Sequence, residues 1–204
     1  MSLTAVAPEI GITGEDRLRA DLYGFLSALL SAPPDRILLA RAARLTGDET
    51  VLGRAIAALA RLAQAATPAA VEREFTDLFI GLGRGELLPY ASYYLTGFLN
   101  EKPLAQVRRD MTALQIARAP NVFEPEDNIA ILMEMMAGMI EGRFGTPAAL
   151  AAQRDFFNRH IAPWAGHFFA DLEGAKASVF YAPVGAVGRQ FMQIEREAFR
   201  LGGS

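Results

Sequence analysis

The chain has 204 residues, 51% of them apolar, which suits one domain with a sizeable core and argues against disorder. Cysteine is absent, which excludes disulfides, thiol catalysis and thiolate metal sites and fits a reducing compartment. The formal net charge is -3 and nearly all the cations are arginine, a balance that disfavours nonspecific contact with nucleic acid or an anionic membrane.

The start, MSLTAVAPEIGITGED, has no basic residue ahead of an apolar run and so does not read as an export signal. No stretch reaches the ~18 consecutive apolar residues of a membrane span. A cytoplasmic protein without membrane insertion is expected, with a flexible tail over 1–12 and one helical unit over 13–204. Leu18, Leu22, Phe25, Leu26, Leu29 and Leu30 recur at helical spacing, and Thr13 with Asp16 makes a capping start. Pro33 and Pro34 stop that helix. Further helices are expected over 35–45 and 48–65. Another begins near Pro68, with Val71, Phe75, Leu78 and Phe79 on one face.

Residues 81–92, GLGRGELLPYAS, are the clearest break, since three glycines and a proline mark a loop. A phosphate-binding loop needs Gly-Lys-Ser/Thr after a strand, whereas here Glu86 and Pro89 follow and a helix precedes. A plain connector is the simpler reading. Short helical pieces resume near Tyr93, and a helix is expected over 103–117. A candidate hinge follows near 119–125. In FEPEDNIAILMEMM, residues 123–136, Glu124, Glu126 and Asp127 stand at the lip of an apolar helix, with Pro125 suited to its first position. Ile129, Leu132, Met133, Met136, Met139 and Ile140 form its face. A helix from GTPAAL to His160, a turn at APW and a helix with Trp164, Phe168 and Leu172 come next. The last helix places Phe180, Val184, Val187, Phe191, Ile194, Ala198 and Leu201 on one side. Strand alternation is missing, so the expectation is all-α: a single compact helical domain of about eight to ten helices.

Two histidines, His160 and His167, do not make a metal site, and no catalytic residue, metal or cofactor is expected. The methionines read as core filler or as an adaptable wall for peptides. Acids in a first helical turn are common because they favour the positive helix end. They would equally form one wall of a site for a partner that is basic and apolar at once.

Four segments together resemble the TorD/DmsD/NarJ family of cytoplasmic molybdoenzyme maturation chaperones, most closely its TorD-like branch. EFTDLFIG with LLPYASYYLTG is similar to the family's aromatic-x-x-Leu-Phe run and Pro-Tyr-x-Ser-x-Tyr loop. FEPEDNIAILMEMM resembles its Glu-Pro-x-Asp-His signature. FFNRHIAPWAGHFFADL resembles its Phe-Phe-x-x-His-(Leu/Ile)-x-Pro-Trp segment, and VFYAPVGAVGRQFMQIE its closing helix. The resemblance implies binding rather than catalysis. It implies a molybdoenzyme catalytic subunit and its twin-arginine signal peptide as partners, until the client's pterin cofactor is inserted, with formate dehydrogenase or an N- or S-oxide reductase as example clients and a monomer or homodimer as the assembly. Tyr90, Ser92, Tyr94, Glu124, Glu126, Asp127 and Asn128 are the implied leader-binding residues. Asn128 stands where the family has His and removes a titratable group. Ala91 stands where an acid is common. The alternatives are a helical scaffold or adaptor, and a nucleotide hydrolase using the glycine loop with the EPED acids.

Overall fold

The computed structural model describes residues 12–120 and 122–202. Apart from Ile12, the tail expected over 1–12 lies outside those residues. Among the described residues ten α-helices follow one another: α1 Gly14–Ser31, α2 Arg36–Ala42, α3 Val51–Ala65, α4 Pro68–Phe75, α5 Ala91–Thr96, α6 Lys102–Ala113, α7 Ile129–Glu141, α8 Leu150–Phe156, α9 Ala165–Gly174 and α10 Tyr181–Leu201. A π-helical turn extends α4 over Thr76–Ile80, and another extends α8 over Phe157–Ile161. Among the described residues the one β feature is an isolated antiparallel bridge between Tyr90 and Asn128. The all-α expectation holds.

Local chemistry starts the early helices. The side chains of Thr13, Asp35, Thr50 and Thr67 accept the backbone N–H groups of Asp16, Leu38, Gly53 and Ala70 at 3.0, 2.7, 3.0 and 3.3 Å. Each bond satisfies a donor that the first helical turn leaves orphaned. Helix α6 ends earlier than expected, at Ala113, because Gln115 turns left-handed (φ 58°) and Ile116 N–H bonds back to Met111.

Helix α7 runs through the core, packed along α1, while α9 and α3 pack on α10. Over residues 129–140 only Glu134 is exposed and Ile131 partly so. Met133, Met135, Met136 and Met139 are all buried, so this face is core filler, with Met135 also lining a small surface slot. The expected start of this helix also moves. Pro125 is not at its first position; its carbonyl accepts Asn128 N–H in a turn, and Asn128 caps the helix by accepting Ala130 N–H at 2.8 Å. A helix whose first turn is almost wholly buried has no place there for three acids, so the acids sit in the turn before it.

The outer half of α10 shows a similar shift. Ile194 and Leu201 face solvent, and Glu195 and Phe199 face inward. The buried Glu195 carboxylate receives Arg19 Nε and Nη2, each at 2.8 Å, and Tyr23 Oη at 2.9 Å. Burial and the Glu195 charge both raise the Tyr23 pKa, so its hydroxyl stays a donor. A buried charge persists where it is paired and hydrogen-bonded, and this one joins α1 to α10. No helix among the described residues is long and apolar enough to cross a membrane.

Candidate functional site

Two irregular segments meet at the N-terminal end of α7. Ala91 N–H bonds the Asp127 carbonyl at 3.0 Å and Ile129 N–H bonds the Pro89 carbonyl at 2.9 Å, forming the Tyr90–Asn128 bridge. Asp127 locks the junction. Its Oδ2 accepts Ser92 N–H at 2.8 Å and the Ser92 hydroxyl at 2.5 Å, and the residue is 1% exposed. The carboxylate therefore caps the first turn of α5 from outside that helix, where the helix end favours negative charge. Ser92 Oγ also accepts Glu101 N–H at 3.3 Å.

This placement corrects the expectation that Asp127 and Ser92 face a ligand: both are sealed and satisfied by each other. Glu126 is corrected likewise. It is buried, and it receives Arg108 Nε at 2.8 Å with Arg118 Nε at 3.5 Å. A carboxylate held by two guanidiniums of its own chain has little left to offer another.

The other expected residues divide. Tyr90, Glu124 and Asn128 line an open hollow of about 540 Å³. Tyr90 Oη and Asn128 Nδ2, the latter at 3.3 Å, both donate to Glu124 Oε1. Burial raises the Tyr90 phenol pKa and Glu124 raises it further, so the phenol keeps its proton. Tyr94 does not join them. Its hydroxyl donates to Asp171 Oδ2 at 2.9 Å and its ring lies 5.2 Å from that of Trp164. The reason is α5 itself: four residues along a short helix, Tyr94 is drawn into the aromatic cluster of α9. Tyr93 Oη accepts Arg84 Nη2 at 2.6 Å, with the guanidinium over its ring.

Apolar side chains make the rest of the hollow. Phe75, Phe79 and Ile80 come from α4 and its π-helical turn, Ala130 and Ile131 from α7, and Leu30 from the end of α1. The π turn closes with Gly81 N–H on the Thr76 carbonyl at 2.7 Å. Such a one-residue widening is frequent at functional sites because it re-aims side chains. At the rim stand Phe123, 86% exposed, with Glu124 and the exposed Glu134. Among the described residues no arginine or lysine lines the hollow. The nearest pairing of Glu134 is loose, with Arg143 Nη1 at 3.8 Å.

The glycine loop does other work. Glu86 accepts Lys176 N–H at 2.7 Å and Ala177 N–H at 3.0 Å, and a Cβ on Gly85 would come within 2.5 Å of the Phe79 backbone. That is a clamp and a close approach, not a phosphate cradle. His160 is buried and its Nε2 meets Asp110 Oδ2 at 2.7 Å. Burial pushes the imidazole pKa down against the pull of Asp110, so the neutral ring donates. No group of potential metal ligands occurs among the described residues.

Against known proteins, the family model described as nitrate reductase delta subunit matches residues 46–170. The chain belongs to that family. Among its relatives, the chaperone protein TorD of Vibrio cholerae serotype O1 is 32% identical over 130 residues, which cover 60% of this chain and 59% of that one. The chain therefore aligns with about three fifths of the length of that relative. The chaperone protein TorD of Aliivibrio fischeri is 28% identical over 208 residues, covering 90% of this chain and 95% of its own. The fold matches the crystal structure of a candidate redox enzyme maturation protein from Archaeoglobus fulgidus. That match has a TM-score of 0.59 and 22% identity, and it covers 92% of this chain and 99% of the other.

In this member of the nitrate reductase delta subunit family, sequence reasoning missed Glu134, Phe123 and the π-turn aromatics as neighbours in one hollow. Glu134 had a signal: it is the sole acid inside the apolar run 129–140. The π turn had none, because a single added residue leaves the spacing of Phe75, Leu78 and Phe79 looking like ordinary helix.

Proposed function

We propose that the chain is a cytoplasmic chaperone that binds a basic-and-apolar segment of a molybdoenzyme in the hollow between α4 and α7, the client's twin-arginine leader being the segment whose chemistry fits. One observation carries the reading: an apolar hollow whose rim holds Glu124 and Glu134, with no cation among its lining residues. Arginine pairs strongly with carboxylates, and a mixed rim and floor select a partner that has both characters. Relatives named as TorD chaperone proteins support a maturation role. Asp127, Ser92 and Glu126 act here by fixing the two segments that carry Tyr90 and Glu124, not by touching the peptide.

The magnitudes suit a partner that must be released. Burying on the order of 400 Å² of apolar surface is worth roughly 10 kcal/mol gross at ~25 cal/mol/Å². Lost freedom and ordering of a flexible peptide remove much of it, ~4–15 kcal/mol for association alone. At the low end of that cost the apolar contact alone leaves about 6 kcal/mol, a dissociation constant of roughly tens of micromolar, and the acid–arginine contacts add to it. The test is calorimetry of the full chain with a synthetic peptide bearing an Arg-Arg pair before an apolar run, beside the same peptide with Gln-Gln. Binding is expected for the first and at least tenfold weaker binding for the second. Equal affinities, or no binding by either, would reject the proposal.

A further inference from the structure

A smaller slot of about 110 Å³ adjoins the main hollow. Val122, Ile131 and Glu134 line both, so Glu134 stands on the ridge between them. The slot's walls are Met111, Ile116, Met135 and Phe144. Phe144 lies against Gly138 of α7, where a Cβ would meet its ring at 2.5 Å, so that glycine lets the ring close the slot. The slot has about a fifth of the volume of the main hollow, about 110 against about 540 Å³, so it suits a single side chain rather than an apolar run.

The slot carries charge of both signs: Arg118 and Glu126 line it and pair with each other at 3.5 Å, and Arg108 holds Glu126 at 2.8 Å. With those charges answered within the chain, the loosely paired acid facing both spaces is Glu134 and the rest of the slot wall is apolar, so an uncharged side chain is favoured inside it. We propose that the slot between α6, α7 and Phe144 is a second subsite for the same bound segment, taking one leucine- or methionine-sized side chain while a basic residue of that segment stands at Glu134. The proposal rests on the main hollow being the peptide site, and it adds a rule of sequence choice that the hollow alone does not contain.

Methyl NMR of the full chain with ¹³C-labelled methionine tests it, because Met111 and Met135 line the slot while Met133, Met136 and Met139 do not. The probe is the Arg-Arg peptide with a leucine-containing apolar run, together with versions in which each apolar position is changed to alanine in turn. The expected result is a shift at Met111 and Met135. One alanine version should lose that shift and bind roughly 15- to 60-fold more weakly, as removal of two or three buried carbons implies. In F144A, the enlarged slot should prefer a phenylalanine over leucine at that same peptide position. If the peptide binds but leaves Met111 and Met135 unmoved, or if every alanine version weakens binding alike, the subsite is overturned and the main-hollow reading survives. Should no Arg-Arg peptide bind, both readings fall together.

Discussion

The seam between α1 and α10 and the hollow between α4 and α7 use the same residue types to opposite ends. At the seam Glu195 is enclosed and receives three hydrogen bonds from Arg19 and Tyr23. At the hollow Glu124 and Glu134 are exposed; the Glu124 carboxylate receives only neutral donors, Arg118 going to its carbonyl, and Glu134 has a loose contact with Arg143. Enclosed and answered charge fixes geometry, whereas exposed and poorly answered charge is left for a partner. Asp127 and Glu126 lie only a few residues from Glu124, yet they belong with Glu195. Proximity in sequence does not sort these acids; the donors around each one do.

The largest expected effect follows from removing Glu195. With Glu195 gone, Arg19 Nε and Nη2 and the Tyr23 hydroxyl lose their acceptor, and Arg19 keeps only Asp16 Oδ1 at 2.9 Å and Gln153 Oε1 at 3.2 Å, both on Nη1, so E195A should lose about 3 kcal/mol of unfolding free energy in urea. Replacing both Arg19 and Glu195 by methionine should recover most of that loss, because the penalty lies in the stranded charge. Peptide affinity measured on the folded fraction should not change. A large affinity loss in E195A would erase the distinction between the two regions.

Asp127 comes next. In D127A the amide and hydroxyl of Ser92 lose their acceptor, at about 1–3 kcal/mol for each buried group left unsatisfied. D127N keeps one carbonyl oxygen and should lose roughly half as much in the same urea titration. If D127A instead leaves stability intact and abolishes binding, Asp127 acts at the ligand and the division fails there.

The double variant E124Q/E134Q should show the reverse pattern. Stability should stay within about 0.5 kcal/mol, as for surface positions away from the core. Affinity for the Arg-Arg peptide should fall about tenfold in low salt, and less at high salt where exposed charges are screened. Unchanged affinity across that salt range would remove both carboxylates from the site.

The sequence displayed periodicity well and partnership poorly. The all-helical architecture, the Thr13 start, the break over 81–92 and the buried face of α7 follow from spacing and turn residues. The outward drift of α10 was not legible, because Glu195 enters the core only by virtue of Arg19, 176 residues away. The site was half legible for the same reason. FEPED marks where carboxylates gather, and Tyr90 marks one wall. Which acids stay free depends on Arg108, Arg118 and Ser92, and their approach is a property of the folded chain.

A last, smaller test uses the clamp at Glu86, an exposed acid that is nonetheless answered. Hydrogen bonds from Lys176 N–H and then Ala177 N–H lower its pKa below the ordinary 4.5. A depressed folded-state pKa means that the clamp is fully present above the ordinary glutamate value and is lost as pH falls through the folded one. The amide resonances of Lys176 and Ala177 should therefore hold steady from neutral pH down to about pH 4.5 and move together only below it. In E86Q they should show no such acid transition. Because the carboxylate is exposed, the effect on global stability should be slight, while the segment joining α9 to α10 loosens locally. A transition centred at or above pH 4.5 would show that the two amides do not favour the ionised form, and it would place Glu86 with the free acids of the hollow rather than with the acids that hold the fold.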